Sequence, residues 1–167
     1  LKKQRSKGFG ETMTKKNIKH ILFVCTGNSC RSIMAEAYFK KRMREEEICL
    51  DIQSAGTLGV DGLPPTKETL DVLSGEGIDS GELASKAITS AVINWADIIL
   101  VMEQAHKSRI LGMVPTAKDK VRYLSEYGDA SGSETISDPI GQSREHYEKC
   151  FDSIKGPIEE LIKWLKK

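Results

Sequence analysis

The apolar positions of this chain fall into two rhythms. Ile21-Leu22-Phe23-Val24 is wholly apolar and partly β-branched, the habit of a strand buried on both faces of a parallel sheet. Residues 31–47 are rich in strong helix formers, with Met34, Tyr38 and Met43 near helical spacing. Leu50-Asp51-Ile52-Gln53-Ser54-Ala55 predicts a second strand, and 59–65 a loop. Thr66 caps a helix that carries Leu70 and Leu73 and ends near Gly75 and Gly77. A short helix over 88–95 precedes a third strand, Ile98-Ile99-Leu100-Val101-Met102. Next come a helix over 103–114 and a short strand over 121–124, and Gly, Ser, Asp and Pro make 126–142 a loop.

The last segment has the longest helical period. Tyr147, Cys150, Phe151, Ile154, Ile158, Leu161, Ile162 and Leu165 recur every three to four residues, a stripe that reads as core rather than as a partner surface. Gly156-Pro157 should kink or interrupt this helix. Strands alternating with helices imply βαβ units, a parallel sheet and helices on both of its faces. Ligands of such sheets bind outside the carboxyl ends of the strands, which directs attention to the segment after Val24.

Composition narrows the class. Among 167 residues, 39% are hydrophobic and 29% charged, too many charges for a membrane protein and too many aliphatics for a disordered one. No uncharged apolar run approaches the roughly 20 residues of a membrane span. The net charge of +1 names no partner, but it hides an asymmetry. Seven basic residues against Glu11 give residues 1–20 a net +6, leaving −5 for the rest. Such a run is either an arm for nucleic acid or anionic membrane, or a leader outside the fold. Basic termini are common and Met13 heads a second plausible start, so residues 1–17 are read as a disordered or non-native leader and 18–167 as one domain. Neither nucleic acid nor membrane is expected as a partner. Four cysteines in this length are no disulfide framework, so the expectation is a reducing compartment, the cytoplasm.

After Val24 comes Cys25-Thr26-Gly27-Asn28-Ser29-Cys30-Arg31-Ser32 and then a helix. A strand, a tight loop of small residues and a helix N-terminus make an oxyanion nest of backbone N–H groups. Gly27 permits a close or left-handed backbone, and Asn28 tolerates one better than most residues. Arg31 offers a planar fork for two phosphate oxygens. The Cys25 sulfur would face the same nest, where N–H dipoles and an arginine favour thiolate, the nucleophilic form. Ser32 could donate to that sulfur. Two blander readings stay open from the residues alone: Cys25 as a buried small hydrophobe, or a loop that binds phosphate without chemistry. Asp138-Pro139 is a candidate proton donor for the leaving group, and by itself also an ordinary turn. The three histidines, His20, His106 and His146, are scattered and no Cys-x-x-Cys occurs, so neither a metal nor another cofactor is expected.

The chain resembles the low-molecular-weight protein-tyrosine phosphatase family. The likeness rests on Val24 to Ser32, Met34-Ala35-Glu36, Ser54-Ala55-Gly56, the run from Ala96 to Met102, and Asp138-Pro139, in order and spacing from about residue 18 to 165. It implies a three-layer α/β sandwich on a four-stranded parallel sheet, a phosphorylated protein as substrate, a monomer, and no metal. It implies Cys25 as nucleophile, Arg31 as phosphate clamp and Asp138 as general acid and then base. Thr26, Gly27, Asn28, Ser29, Cys30 and Ser32 would line the substrate phosphate, with Ser54 supporting Asn28. Cys30 would either pair reversibly with Cys25 or simply pack the loop, while Cys49 and Cys150 are expected in the core.

Departures from the pattern bear on substrate. Tyrosine-specific members typically carry a bulky aliphatic where Ser29 stands and an aromatic pair after the Asp-Pro, where this chain has Ile140-Gly141. The protein-arginine phosphatase branch has a small hydroxyl residue and a glycine at the Ser29 and Gly141 positions. A guanidinium leaving group wants hydrogen-bond partners, whereas a phenyl ring wants apolar walls, which puts phosphoarginine slightly ahead of phosphotyrosine. Ile33 replaces the Pro usual after the loop. Two alternatives remain. Arsenate reductases of similar fold need two further cysteines close together, but Cys49 and Cys150 are far apart in sequence. A non-enzymatic phosphate-binding or redox-sensing module would more naturally lack Arg31 or an acid.

Overall fold

A computed structural model describes residues 18–128 and 135–167; the proposed leader, 1–17, and part of the 126–142 loop lie outside them. The strands are β1 (His20–Cys25), β2 (Asp51–Gly56), β3 (Ile98–Val101) and β4 (Val121–Tyr123). The helices are α1 (Arg31–Glu45), α2 (Lys67–Gly75), α3 (Ser90–Trp95), α4 (Gln104–Met113) and α5 (Arg144–Lys166). All strand pairs are parallel, in the order β2-β1-β3-β4. Side chains of β1 alternate between two cores. Ile21, Phe23 and Cys25 join α1, α2 and α5 on one face; Leu22 and Val24 join Ile93 of α3 and Ile110 of α4 on the other. A strand covered on both faces has no polar side, which is why this run is continuously apolar.

The chain leaves β1 toward β2 on one side and returns to β3 on the other. The loops after β1 and β3 therefore diverge, and a crevice opens at the carboxyl ends of these strands. Register fixes what meets there: Cys25 pairs with Gly56 and Val24 with Val101.

Several expectations change. α5 is not interrupted at Gly156-Pro157 but runs for 23 residues. Proline inside a helix costs about 3 kcal/mol, and tertiary packing offsets that cost. Pro157 is buried against Gly128, where an added Cβ would lie 3.0 Å from the proline Cγ. The helix expected over 88–95 starts two residues later, because Ile88 N–H donates to Gly56 O and extends the edge of β2; Thr89 is its cap. Leu124 leaves the fourth strand to begin a 3-10 turn, Leu124–Tyr127. Cys49, expected in the core, is exposed, because it lies in the link between α1 and β2, outside both elements.

Candidate active site

The loop between Cys25 and Arg31 is held from outside and from within. Cys25 O and Thr26 O accept the N–H groups of Thr57 and Leu58, each at 3.0 Å, and Ser29 O accepts Thr66 N–H at 3.2 Å and Thr69 Oγ1 at 3.0 Å. Asn28 takes a left-handed φ of 50°, a turn its short polar side chain tolerates. Gly56 has no room for a side chain. A Cβ there would lie 2.8 Å from Thr26 O and 3.0 Å from Asn28 N, so Gly56→Ala must push the loop outward. We expect this substitution to lower phosphate affinity and turnover by at least about tenfold, since misplacement of about 1 Å can cost 10²-fold; steady-state kinetics and calorimetric phosphate titration would show it.

A one-way chain of hydrogen bonds reaches the sulfur. Lys86 N–H donates to Asn28 Oδ1 at 2.8 Å, which fixes the amide so that Nδ2 faces two hydroxyls. Nδ2 donates to Ser54 Oγ at 2.9 Å and to Ser32 Oγ at 2.7 Å. Ser54 passes its hydrogen to the Glu36 carboxylate, itself paired with Lys40. Ser32 already accepts from Asn28, so its own hydrogen points along the 2.9 Å contact to Cys25 Sγ. Glu36, Ser54, Asn28, Ser32 and Cys25 are all buried. A satisfied chain in such a setting is rigid, and it presents a donor to the sulfur.

Arg31, the first residue of α1, is 1% exposed, and a buried cation needs partners. Nη1 donates to Ile136 O at 2.9 Å and lies 3.5 Å from Glu103 Oε2. Nη2 donates to Asp138 Oδ2 at 2.9 Å and to Thr26 Oγ1 at 3.4 Å. Asp138 comes from the loop before α5, where its other oxygen accepts Ile140 N–H at 3.1 Å and Gln142 Nε2 reaches its carbonyl at 3.2 Å. His106, on α4, sits behind Thr26 with Nε2 2.9 Å from Thr26 Oγ1. Burial, and then the Arg31 charge, push this imidazole down to about 4.

The remaining thiols differ from one another. Cys30 Sγ lies among hydroxyls, 3.5 Å from Tyr147 OH, 3.6 Å from Ser29 Oγ and 3.7 Å from Thr66 Oγ1. Cys150 donates to Ser137 O at 3.5 Å, and burial pushes its thiol up to about 12. It is therefore neutral at physiological pH and tethers the backbone next to Asp138. The structure thus gathers Cys25 to Ser32, Ser54 and Asp138 at one end of the sheet. Sequence reasoning missed Glu103, His106 and the carbonyl of Ile136, and met Glu36 only as part of a motif. The signal for the first two was available: both come after the third strand, whose carboxyl end borders the same crevice.

Comparison with known proteins places the chain in a family. Residues 20–167 match the family described as low molecular weight phosphotyrosine protein phosphatase. A protein-arginine-phosphatase of Bacillus subtilis is 34% identical over 147 residues, covering 88% of this chain and 97% of its own. The structure of a YwlE arginine phosphatase mutant with a phosphorylated active-site serine superposes with a TM-score of 0.83 at 33% identity, covering 89% of this chain and 96% of that one. A low molecular weight protein tyrosine phosphatase from T. tengcongensis gives 0.81 at 32% identity, over 87% and 98% of the two chains. The chain belongs to the low molecular weight phosphotyrosine protein phosphatase family.

Proposed function

We propose that this protein hydrolyses phosphoarginine in protein substrates, through a phosphocysteine on Cys25. The observation that supports the reading is the pairing of Arg31, at the start of α1 six residues after Cys25, with Asp138 at 2.9 Å, beside a Cys25 sulfur that ends β1 and lies 2.9 Å from Ser32 Oγ. Arg31 and the loop amides take the non-bridging oxygens of the phosphoryl group. Cys25 Sγ attacks phosphorus, the bond to the guanidine nitrogen breaks, and Asp138 gives its proton to that nitrogen. Asp138 rests on Arg31; an arriving phosphate takes over the guanidinium and frees the carboxyl to face the leaving nitrogen. In the second half, Asp138 takes a proton from water as that water attacks phosphorus, and the S–P bond breaks to return thiolate and inorganic phosphate. A nucleophilic thiol is kept reduced in the cytoplasm, the compartment we propose.

Ser29 and Gly141 favour arginine over tyrosine. Ser29 leaves a hydroxyl where a bulky aliphatic would wall a ring, and Gly141, at φ 74°, stands in the segment where tyrosine-specific members carry aromatics. Phosphotyrosine is the second reading, supported by the likeness to the T. tengcongensis enzyme. Parallel assays on phosphoarginine and phosphotyrosine peptides decide between them. Ser29→Ile is expected to shift the ratio of kcat/KM toward phosphotyrosine by about 10-fold or more, the scale of a lost polar contact to a charged group. An unmoved ratio would remove Ser29 from substrate choice.

A further inference from the structure

We propose that His106 is a positioning residue for the phosphate clamp, holding the Thr26 hydroxyl so that an oxygen lone pair faces Arg31. The proposal rests on the reading of Arg31 as the clamp. Thr26 Oγ1 lies between Arg31 Nη2, at 3.4 Å, and His106 Nε2, at 2.9 Å. A guanidinium only donates, so the threonine oxygen accepts on that side, and we assign its single hydrogen to the imidazole. Nε2 then accepts, which requires a neutral ring carrying its proton on Nδ1. The competing arrangement is Nε2–H donating to the second lone pair of the same oxygen, which leaves the threonine hydrogen without an acceptor among the described residues; Nε2–H toward Glu103 Oε1 faces 3.5 Å, beyond a good hydrogen bond.

The surroundings keep the ring neutral. Arg31 of α1 opposes protonation while Glu103, at the start of α4, and Asp138, from the loop before α5, favour it; burial is the largest influence, and the balance lies at about 4. His106 is 1% exposed, and its Nδ1 is buried with no hydrogen-bond partner among the described residues. A leucine would fill this space without an unsatisfied donor. The one hydrogen bond the ring makes among the described residues, to Thr26, is what an apolar residue could not supply.

The first test needs no variant and no turnover. Long-range proton–nitrogen correlation spectra of the wild-type protein at neutral pH are expected to show His106 with Nδ1–H and a bare, accepting Nε2. The Nε2–H tautomer or an imidazolium overturns the proposal. The second test reads phosphate affinity calorimetrically, beside KM and kcat. His106→Leu is expected to weaken phosphate binding about tenfold. His106→Gln, whose amide oxygen can accept the Thr26 hydrogen, restores most of that loss. Added to Thr26→Val, His106→Leu costs nothing more. Equal losses in the two His106 variants, or additive losses with Thr26→Val, overturn the proposal. If His106→Leu does not fold, the tautomer decides alone. A chain with no phosphatase activity would defeat the proposed function, yet the spectra and phosphate titrations would still judge His106.

Discussion

Cys25→Ser is expected to abolish turnover, by at least about 10⁴-fold, the scale on which loss of a covalent nucleophile is felt, while leaving phosphate or vanadate binding in place. Two parts of the site act separately here. In the proposed mechanism the phosphate is held by loop N–H groups and by Arg31, whose anchors at Ile136 O and Glu103 do not involve the sulfur. Bond making, in that mechanism, belongs to the sulfur alone. A serine hydroxyl is a weaker nucleophile than a cysteine sulfur, and Ser32, already an acceptor of Asn28 Nδ2, is placed to donate rather than to act as a base. Any transfer that does occur should stop at an oxygen ester, visible in intact-mass spectra as one added phosphoryl unit. Appreciable steady-state turnover in Cys25→Ser would remove Cys25 as the nucleophile.

The fold was legible because its strands are buried on both faces. Ile21-Leu22-Phe23-Val24 and Ile98-Ile99-Leu100-Val101 have no polar side, and only a parallel sheet between helix layers accommodates two such runs. The form of the loop from Cys25 to Arg31 was legible for a related reason: strand, small-residue loop and helix start are contiguous in the chain, so their geometry is local. What sequence did not reveal is assembled across distance. Ile136 O reaches Arg31 from 105 positions away and His106 reaches Thr26 from 80; a carbonyl leaves no residue signature, and His106 carried only the general pointer of following the third strand. The uninterrupted α5 has the same origin. Gly156-Pro157 breaks a helix by local rule, and only the contact with Gly128 shows how tertiary packing overrides that rule.

Removing the acid should divide substrates by the basicity of what leaves. Asp138→Ala is expected to slow hydrolysis by about 10²–10⁴-fold, the range of a positioned proton donor, most strongly for phosphoarginine, whose guanidine nitrogen cannot depart as an anion. An aryl phosphate with a stable phenolate needs less help in the first half-reaction and should lose less there. The second half-reaction makes the variant diagnostic, because Asp138 must also take the proton of the attacking water. With an activated aryl phosphate, Asp138→Ala should therefore release one equivalent of phenol in a burst and then stall as phosphocysteine, and the burst amplitude should match the active-site concentration. The substitution also takes from Arg31 a partner at 2.9 Å, so phosphate itself, no longer competing with a carboxylate for the guanidinium, should bind at least as tightly as to the wild type. That result separates the two roles of the residue. A variant that lost phosphate affinity along with rate would show Asp138 to be a structural prop of the clamp, and one that kept its rate on phosphoarginine would pass the role of acid to another residue.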